Sequence, residues 1–348
     1  MVTTLSLIHP ETALPLSTSV VCHVTCSNKV LPAPGKESQE KPTVLPGMVS
    51  QAAIMAHPVN AVNTDVPYVA PSSTMHKSVT SSSSLLIINT PFITNAWHSL
   101  LVDTPLYAQF SDVPAGICYN FDMGISTLPT HTYTPLNHNS ALSYSNHIVS
   151  HINNELSSRR YSSPFSSSRL EALIGPFCTS PLGTVPKPGT LDGHCIIQDL
   201  SFPRDNPLCC SVNNFTNIDD FRCNWGMFNN VRTIVMNAPD GTEAATLSVN
   251  SAFRCCSIAP AQQPNLVVHW NGLFYIDHNA PFGTVSSGGI FGRVANAMTA
   301  ILASKGFGPS ENWVNDFVFF RFPTLHDPPS FSYSLSDIYD VAAYLGWP

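Results

Sequence analysis

Residues able to do chemistry are thinly spread along this sequence, and few stand at spacings that make a site. Cys22-His23 and Cys26 lie close together, but no second ligand pair follows at a spacing that would complete a tetrahedral metal set. His147 and His151 are four apart, so one helix face can present both to zinc; the same spacing serves an ordinary polar face, and no such pair is joined by the glutamate of a metalloprotease helix. Neither a Gly-x-Ser-x-Gly elbow nor a phosphate loop occurs. Asp240, before Gly241, and Asp277, after Phe274-Tyr275-Ile276, suit turns in which a carboxylate makes local hydrogen bonds. Asp199 is expected to order a neighbouring backbone, and Asp219-Asp220 to lie in a solvated loop or cap a helix. The sequon Asn214-Phe-Thr216 has little meaning in an intracellular chain.

Charge narrows the functions open to the chain. Its 348 residues hold 15 Lys+Arg against 22 Asp+Glu, a net charge of -7 with only 11% charged residues and 30 prolines. Generic electrostatic binding of nucleic acid needs dense Lys and Arg, so that class is disfavoured. The first arginine is Arg159, which confines any polyanion chemistry to the second half. Ten cysteines are too few for a disulfide scaffold, and the adjacent pairs Cys209-Cys210 and Cys255-Cys256 are geometrically awkward to bridge, so a reduced, intracellular setting is expected. His9, Pro10, Glu11 and Pro15 interrupt the N-terminal apolar stretch, unlike a secretory signal. No run approaches the ~18 apolar residues of a membrane-spanning helix.

The elements that must position these groups follow from periodicity. Residues 1–90 are dominated by Ser, Thr, Pro, Val and Ala without a sustained period, and are expected to form a disordered arm. Ala141 to Arg160 predicts a helix with Ile148, Val149, Ile152 and Leu156 on one face, Ser145 as N-cap and two arginines at its C-terminal end. A shorter helix runs from Ser166 through Leu170, Leu173 and Ile174 to Gly175-Pro176. Asn271-Gly272, between Leu266-Val267-Val268-His269-Trp270 and Leu273-Phe274-Tyr275-Ile276, is a strong hairpin signal because both turn positions need positive φ. Ile290, Phe291, Val294, Met298, Ile301 and Leu302 form a helical stripe that stops at Lys305-Gly306. Trp313 to Phe320 reads as two short strands around a polar dipeptide. Hairpin, helix, hairpin points to an α+β fold with an antiparallel sheet.

Five segments carry a resemblance. They are Ser180-Pro-Leu-Gly-Thr-Val-Pro-Lys-Pro-Gly189, Ile197-Gln-Asp-Leu-Ser-Phe-Pro-Arg204, Ala245-Thr-Leu-Ser-Val-Asn-Ser-Ala-Phe-Arg254, Phe282-Gly-Thr-Val-Ser-Ser-Gly-Gly-Ile-Phe-Gly292 and Trp313-Val-Asn-Asp316. In this order and spacing they resemble the fingers and palm of reverse transcriptases, in particular those of fungal retroelements of the tyrosine-recombinase type. The resemblance covers roughly residues 95–322, extends upstream to Asn137-His138, and does not reach the first 90. It implies RNA-directed DNA polymerisation with an RNA/DNA primer-template as partner. It also implies two divalent ions, Mg²⁺ or Mn²⁺, held by palm carboxylates.

By that resemblance the first catalytic aspartate falls at Ser248 and the adjacent pair at Asn315 and Asp316, leaving Asp316 as the one acidic metal ligand. Neither a serine hydroxyl nor an asparagine carbonyl supplies the negative charge that offsets two dications. For the nucleotide, the fingers lysine corresponds to Lys187, the triphosphate arginine falls at Cys195, and Phe253 matches an aromatic that blocks a ribose 2′ hydroxyl. The turn from Phe282-Gly283 to Gly292 matches the segment under template and incoming nucleotide. Structural readings stand beside these: Phe253 as a core aromatic, and Gly288-Gly289 as a site of close packing.

The resemblance divides the chain into the arm 1–90, a helical extension 91–160, fingers and palm 161–322, and a short tail 323–348 without thumb or ribonuclease H. A catalytically inactive polymerase domain is the first expectation. The others are an active enzyme with unusual metal ligands and a retained module that binds nucleic acid or protein.

Overall fold

The computed structural model describes the backbone of residues 4–8 and 20–25 and the full structure of 89–204, 210–325 and 330–348. Within the span assigned to the arm, β1 (Thr4–Ile8) and β2 (Val20–Thr25) are strands; Cys26 and the unit formed by 28–79 with Met1 lie outside the described residues. The helical extension holds α1 (Thr94–Leu101), α2 (Leu106–Phe110), α3 (Asp112–Tyr119), α4 (Asn139–Ser143) and α5 (Ser145–Ser157). The helix expected over Ala141–Arg160 is thus broken. Tyr144 leaves helical dihedrals and its ring stacks on His194 at 3.8 Å between centroids, and Ser145 is the first helical residue instead of a cap. The short α6 (Ser167–Ile174) starts as expected, with Ser166 Oγ accepting the N–H of Arg169.

Two hairpins follow the same local rules. β3 (Leu182–Pro186) pairs with β4 (His194–Gln198), and β6 (Val267–Trp270) with β7 (Leu273–Ile276). At the second turn Asn271 and Gly272 both have positive φ, as that two-residue connection requires. Between the hairpins lie α7 (Phe228–Asn237) and β5 (Glu243–Ser248), and after them α8 (Ser287–Ser304), β8 (Ser310–Trp313) and β9 (Asp316–Arg321).

The main sheet has the order β1-β2-β5-β9-β8, antiparallel throughout. Alternation along β9 sends Phe317 and Phe319 to one face, into the core that holds the α8 stripe, and Phe320 to the other, against α7. All six expected stripe residues of α8 are buried, and Gly306 ends the helix with φ 81°. The segment 323–348 is more than a tail. It contains α9 (Leu335–Leu345), started by a Ser334–Asp337 capping box, and sends Trp347 against Phe92, Trp97, Phe291 and Phe317. Burying side chains such as Trp97 and Phe291 contributes about 1.5–3 kcal/mol each. No helix among the described residues is long and apolar enough to cross a membrane.

Candidate functional site

Ser248, Asn315 and Asp316, far apart in sequence, meet at one end of the main sheet. Ser248 is the last residue of β5 and the direct cross-strand partner of Asp316, the first residue of β9, which also pairs with Trp313 of β8. The connection between β8 and β9 is Val314-Asn315, and Val314 takes φ 54° where glycine is the usual occupant. A β-branched residue in that region stores strain of order 1–3 kcal/mol. Asn315 ties the strands together: its carbonyl accepts the N–H of Val249 at 2.8 Å, and its Nδ2 donates to Ser248 Oγ at 3.0 Å. Ser248 and Asp316 are exposed.

The donor set does not fit a pair of divalent ions. A metal ligand must offer a lone pair, yet Asn315 turns its NH₂ group toward Ser248 and leaves Asp316 as the only anionic oxygen of the three. No group of three or more His, Cys, Asp or Glu is arranged to hold a metal among the described residues.

The expected nucleotide residues divide between two places. Phe253 lies just beyond β5 in a short 3₁₀ turn, its ring 4.9 Å from that of Phe282, which is more than half exposed, and 5.9 Å from that of the buried Phe291. It is therefore both core and platform. Gly283 has φ 106°, and a Cβ there would stand 2.7 Å from the carbonyl oxygen of Gln198, so the turn after Phe282 can carry only glycine. In the first turn of α8, Gly289 faces the backbone of Phe221 closely enough to exclude any side chain, whereas a Cβ at Gly288 would meet Trp225 only at 3.9 Å, so the close packing expected of the pair rests on Gly289. Lys187 and Cys195 belong to the separate β3–β4 sheet and are exposed; Cys195 pairs with Val185, and the Lys187 N–H donates to the Gly193 carbonyl at 2.7 Å.

Asp199 departs from expectation, and Asp277 does more than expected. Asp199 binds side chains instead of backbone, pairing with both terminal nitrogens of Arg204 at 2.9 Å and with His138 Nε2 at 3.2 Å. Burial acts against its charge, but these partners hold its pKa below the ordinary value. Asp277 makes the local bond expected of it, its Oδ1 accepting the Asn279 N–H at 3.1 Å, but it does so in the interior. It is 1% exposed and takes a two-point bond from Arg254, whose Nη1 and Nη2 stand 2.9 and 2.8 Å from its oxygens.

That pair belongs to a buried ionic cluster. Arg254 also donates to Glu155 Oε2 at 2.8 Å, and Arg160 approaches the same carboxylate through Nε at 2.7 Å and Nη2 at 2.9 Å. Burial raises the Glu155 pKa, but Arg254 and Arg160 outweigh it and hold it at about 2; burial pushes Asp277 up to about 6 against the pull of Arg254. Burial, with Arg254 adding to it, lowers the His278 imidazole to about 4. A sequence signal for this cluster exists. Glu155 sits three residues after Ile152 and seven after Ile148 on the buried stripe of α5, where a carboxylate requires a partner.

No family model and no curated protein sequence matches the chain. Among solved structures it is similar to a foamy viral protease-reverse transcriptase in complex with an RNA/DNA hybrid, at 12% identity and TM-score 0.44, covering 72% of this chain and 31% of that one. A second is prototype foamy virus protease-reverse transcriptase in a selenomethionine-labelled mutant form, at 15% identity and TM-score 0.42, with 74% and 32% covered. The chain therefore spans about a third of the length of these proteins.

Proposed function

We propose that residues 161–322 are a reverse-transcriptase-like fingers and palm, of the kind carried by fungal tyrosine-recombinase retroelements, in which metal-dependent polymerisation has been lost. The observation that carries this reading is the pairing of Ser248 with Asp316 beside Asn315. Positions 67 residues apart in sequence meet at one sheet end, Ser248 being the cross-strand partner of Asp316 and the hydrogen-bond acceptor of Asn315. Phe253 and the glycine-bound turn at Phe282-Gly283 stand beside the same strand end and support it further.

In such a domain Mg²⁺ or Mn²⁺ would offset the charge of the triphosphate and leaving group. Here the residues that would hold those ions supply one negative charge, on Asp316, because Ser248 and Asn315 are neutral and spend their polarity on each other. Of the positions matched by the resemblance, the exposed Lys187 and the Phe253–Phe282 platform, on which a base or sugar can rest, can still act on a polyanion. Retained, salt-dependent binding of an RNA/DNA primer-template without synthesis is the expected behaviour.

Primer extension on an RNA template with Mg²⁺ or Mn²⁺ tests this directly. No incorporation is expected from the natural chain, and incorporation abolished by Asp316→Ala would overturn the proposal. In the converse experiment, Ser248→Asp with Asn315→Asp gathers three carboxylates and should create saturable Mn²⁺ binding in a calorimetric titration, with Cys195→Arg then improving nucleotide binding. A double variant that folds yet binds Mn²⁺ no better than the natural chain would show that these positions are not the metal site of a palm.

A further inference from the structure

We infer that the cleft between α8 and the loop at 222–224 is a binding site for a small phosphomonoester. The cleft has a volume of about 480 Å³, within the range of small-molecule sites. It lies apart from Ser248 and Asp316: Asn312 of β8 stands opposite Phe317, on the sheet face that packs against α8, whereas Asp316 follows the other face.

Its polarity is one-sided. Arg222 and Arg293 stand in its wall with the amides of Asn224 and Asn296 and the hydroxyl of Thr299, and no carboxylate lines it. Each guanidinium is steered from outside the cleft by one acid. Arg222 donates to Asp219 through Nε and Nη2, and Arg293 donates to Asp112 through the same two nitrogens. Nη1 of each makes no hydrogen bond among the described residues, which leaves two cationic donors for a ligand.

Asn312 points to the ligand most directly. Its side chain lines the cleft and is 7% exposed, its Oδ1 is engaged by Thr299 Oγ1 at 3.5 Å, and its Nδ2 is buried with no partner among the described residues. A buried donor left unmade is costly, and an acceptor delivered by a ligand removes that cost. Two Nη1 groups, the Asn312 amide and two further amides outnumber the oxygens of a carboxylate. A tetrahedral phosphate with three terminal oxygens matches them better, and the remaining volume takes its organic group.

The test uses the full chain and four probes in calorimetric titration: ribose 5-phosphate, ribose, inorganic phosphate and citrate. Saturable binding of ribose 5-phosphate is expected, with inorganic phosphate weaker and ribose undetectable. Asn312→Leu should weaken that binding at least tenfold while leaving the melting temperature unchanged or higher, because it deletes an unsatisfied donor. Arg222→Gln, at an exposed side chain, should weaken it as well and guards against misfolding of the first variant. Absence of ribose 5-phosphate binding, equal binding of ribose, tighter binding of citrate, or affinity untouched by both substitutions would each overturn the assignment.

Discussion

Two polar constellations of this protein lie close along the chain at Ser248 and Arg254, yet they have opposite characters. The exposed end of the main sheet carries Ser248, Asn315 and Asp316, a single charge among neutral groups joined by one amide. Just beyond it, Arg254 is 6% exposed and fully engaged by Glu155, Asp277 and the Asn279 carbonyl. The contrast shows where charge is dispensable. At the surface, aspartates can be exchanged for serine or asparagine at little cost to the fold, since water solvates either. In the interior, deleting one member of a balanced set leaves a charge without water or partner.

The comparison is broken most severely at Arg254. Arg254→Met should destabilise the protein by about 3–5 kcal/mol in denaturant titration, because Asp277 loses its one cationic partner among the described residues. Adding Asp277→Leu should recover much of that loss; no recovery would mean that packing, and not uncompensated charge, dominates there.

Acid should separate the two regions next. His278 has its folded pKa lowered to about 4 by burial, below the unfolded value of 6.5. The stability from its neutral form is therefore present above pH 6.5 and lost as pH falls through 6.5 toward 4, amounting to about 3 kcal/mol. Asp277, raised to about 6, acts in the opposite direction over an overlapping window, so the intrinsic slope is a difference of the two. Comparing the natural chain with His278→Asn isolates the imidazole: the stability gap between them should narrow by up to about 3 kcal/mol from pH 6.5 to 4. A gap that does not vary with pH would show that His278 is not held neutral.

The smallest effect belongs to the surface. Asn315→Ala removes the bond to Ser248 Oγ and should cost about 1 kcal/mol, measured by thermal unfolding. A loss as large as that at Arg254 would erase the distinction between the two sites.

Much of the local structure was legible beforehand. The α8 stripe, the Asn271-Gly272 hairpin and the short helix from Ser166 each depend on residues within a few positions of one another, where periodicity and turn chemistry act directly. The break at Tyr144 was not, since it accompanies a ring contact with His194 on another element. Asp277 makes the local bond that its sequence neighbours suit, but its ion pair was not legible because Arg254 arrives from 23 residues away.

By itself, the sequence determined which groups are available: an aspartate at 316 with serine and asparagine at 248 and 315, arginines confined to residues 159–321, and apolar stripes that commit segments to helix or hairpin. Tertiary structure alone decided which of these groups meet. The joining of Glu155 to Arg254 across 99 residues, the turning of the Asn315 amide toward Ser248, and the donor left unpaired at Asn312 all depend on how separate elements pack. Hydrogen bonds and ion pairs reach only a few ångströms, so a pattern along the chain names the candidates while the packing of elements selects the partners.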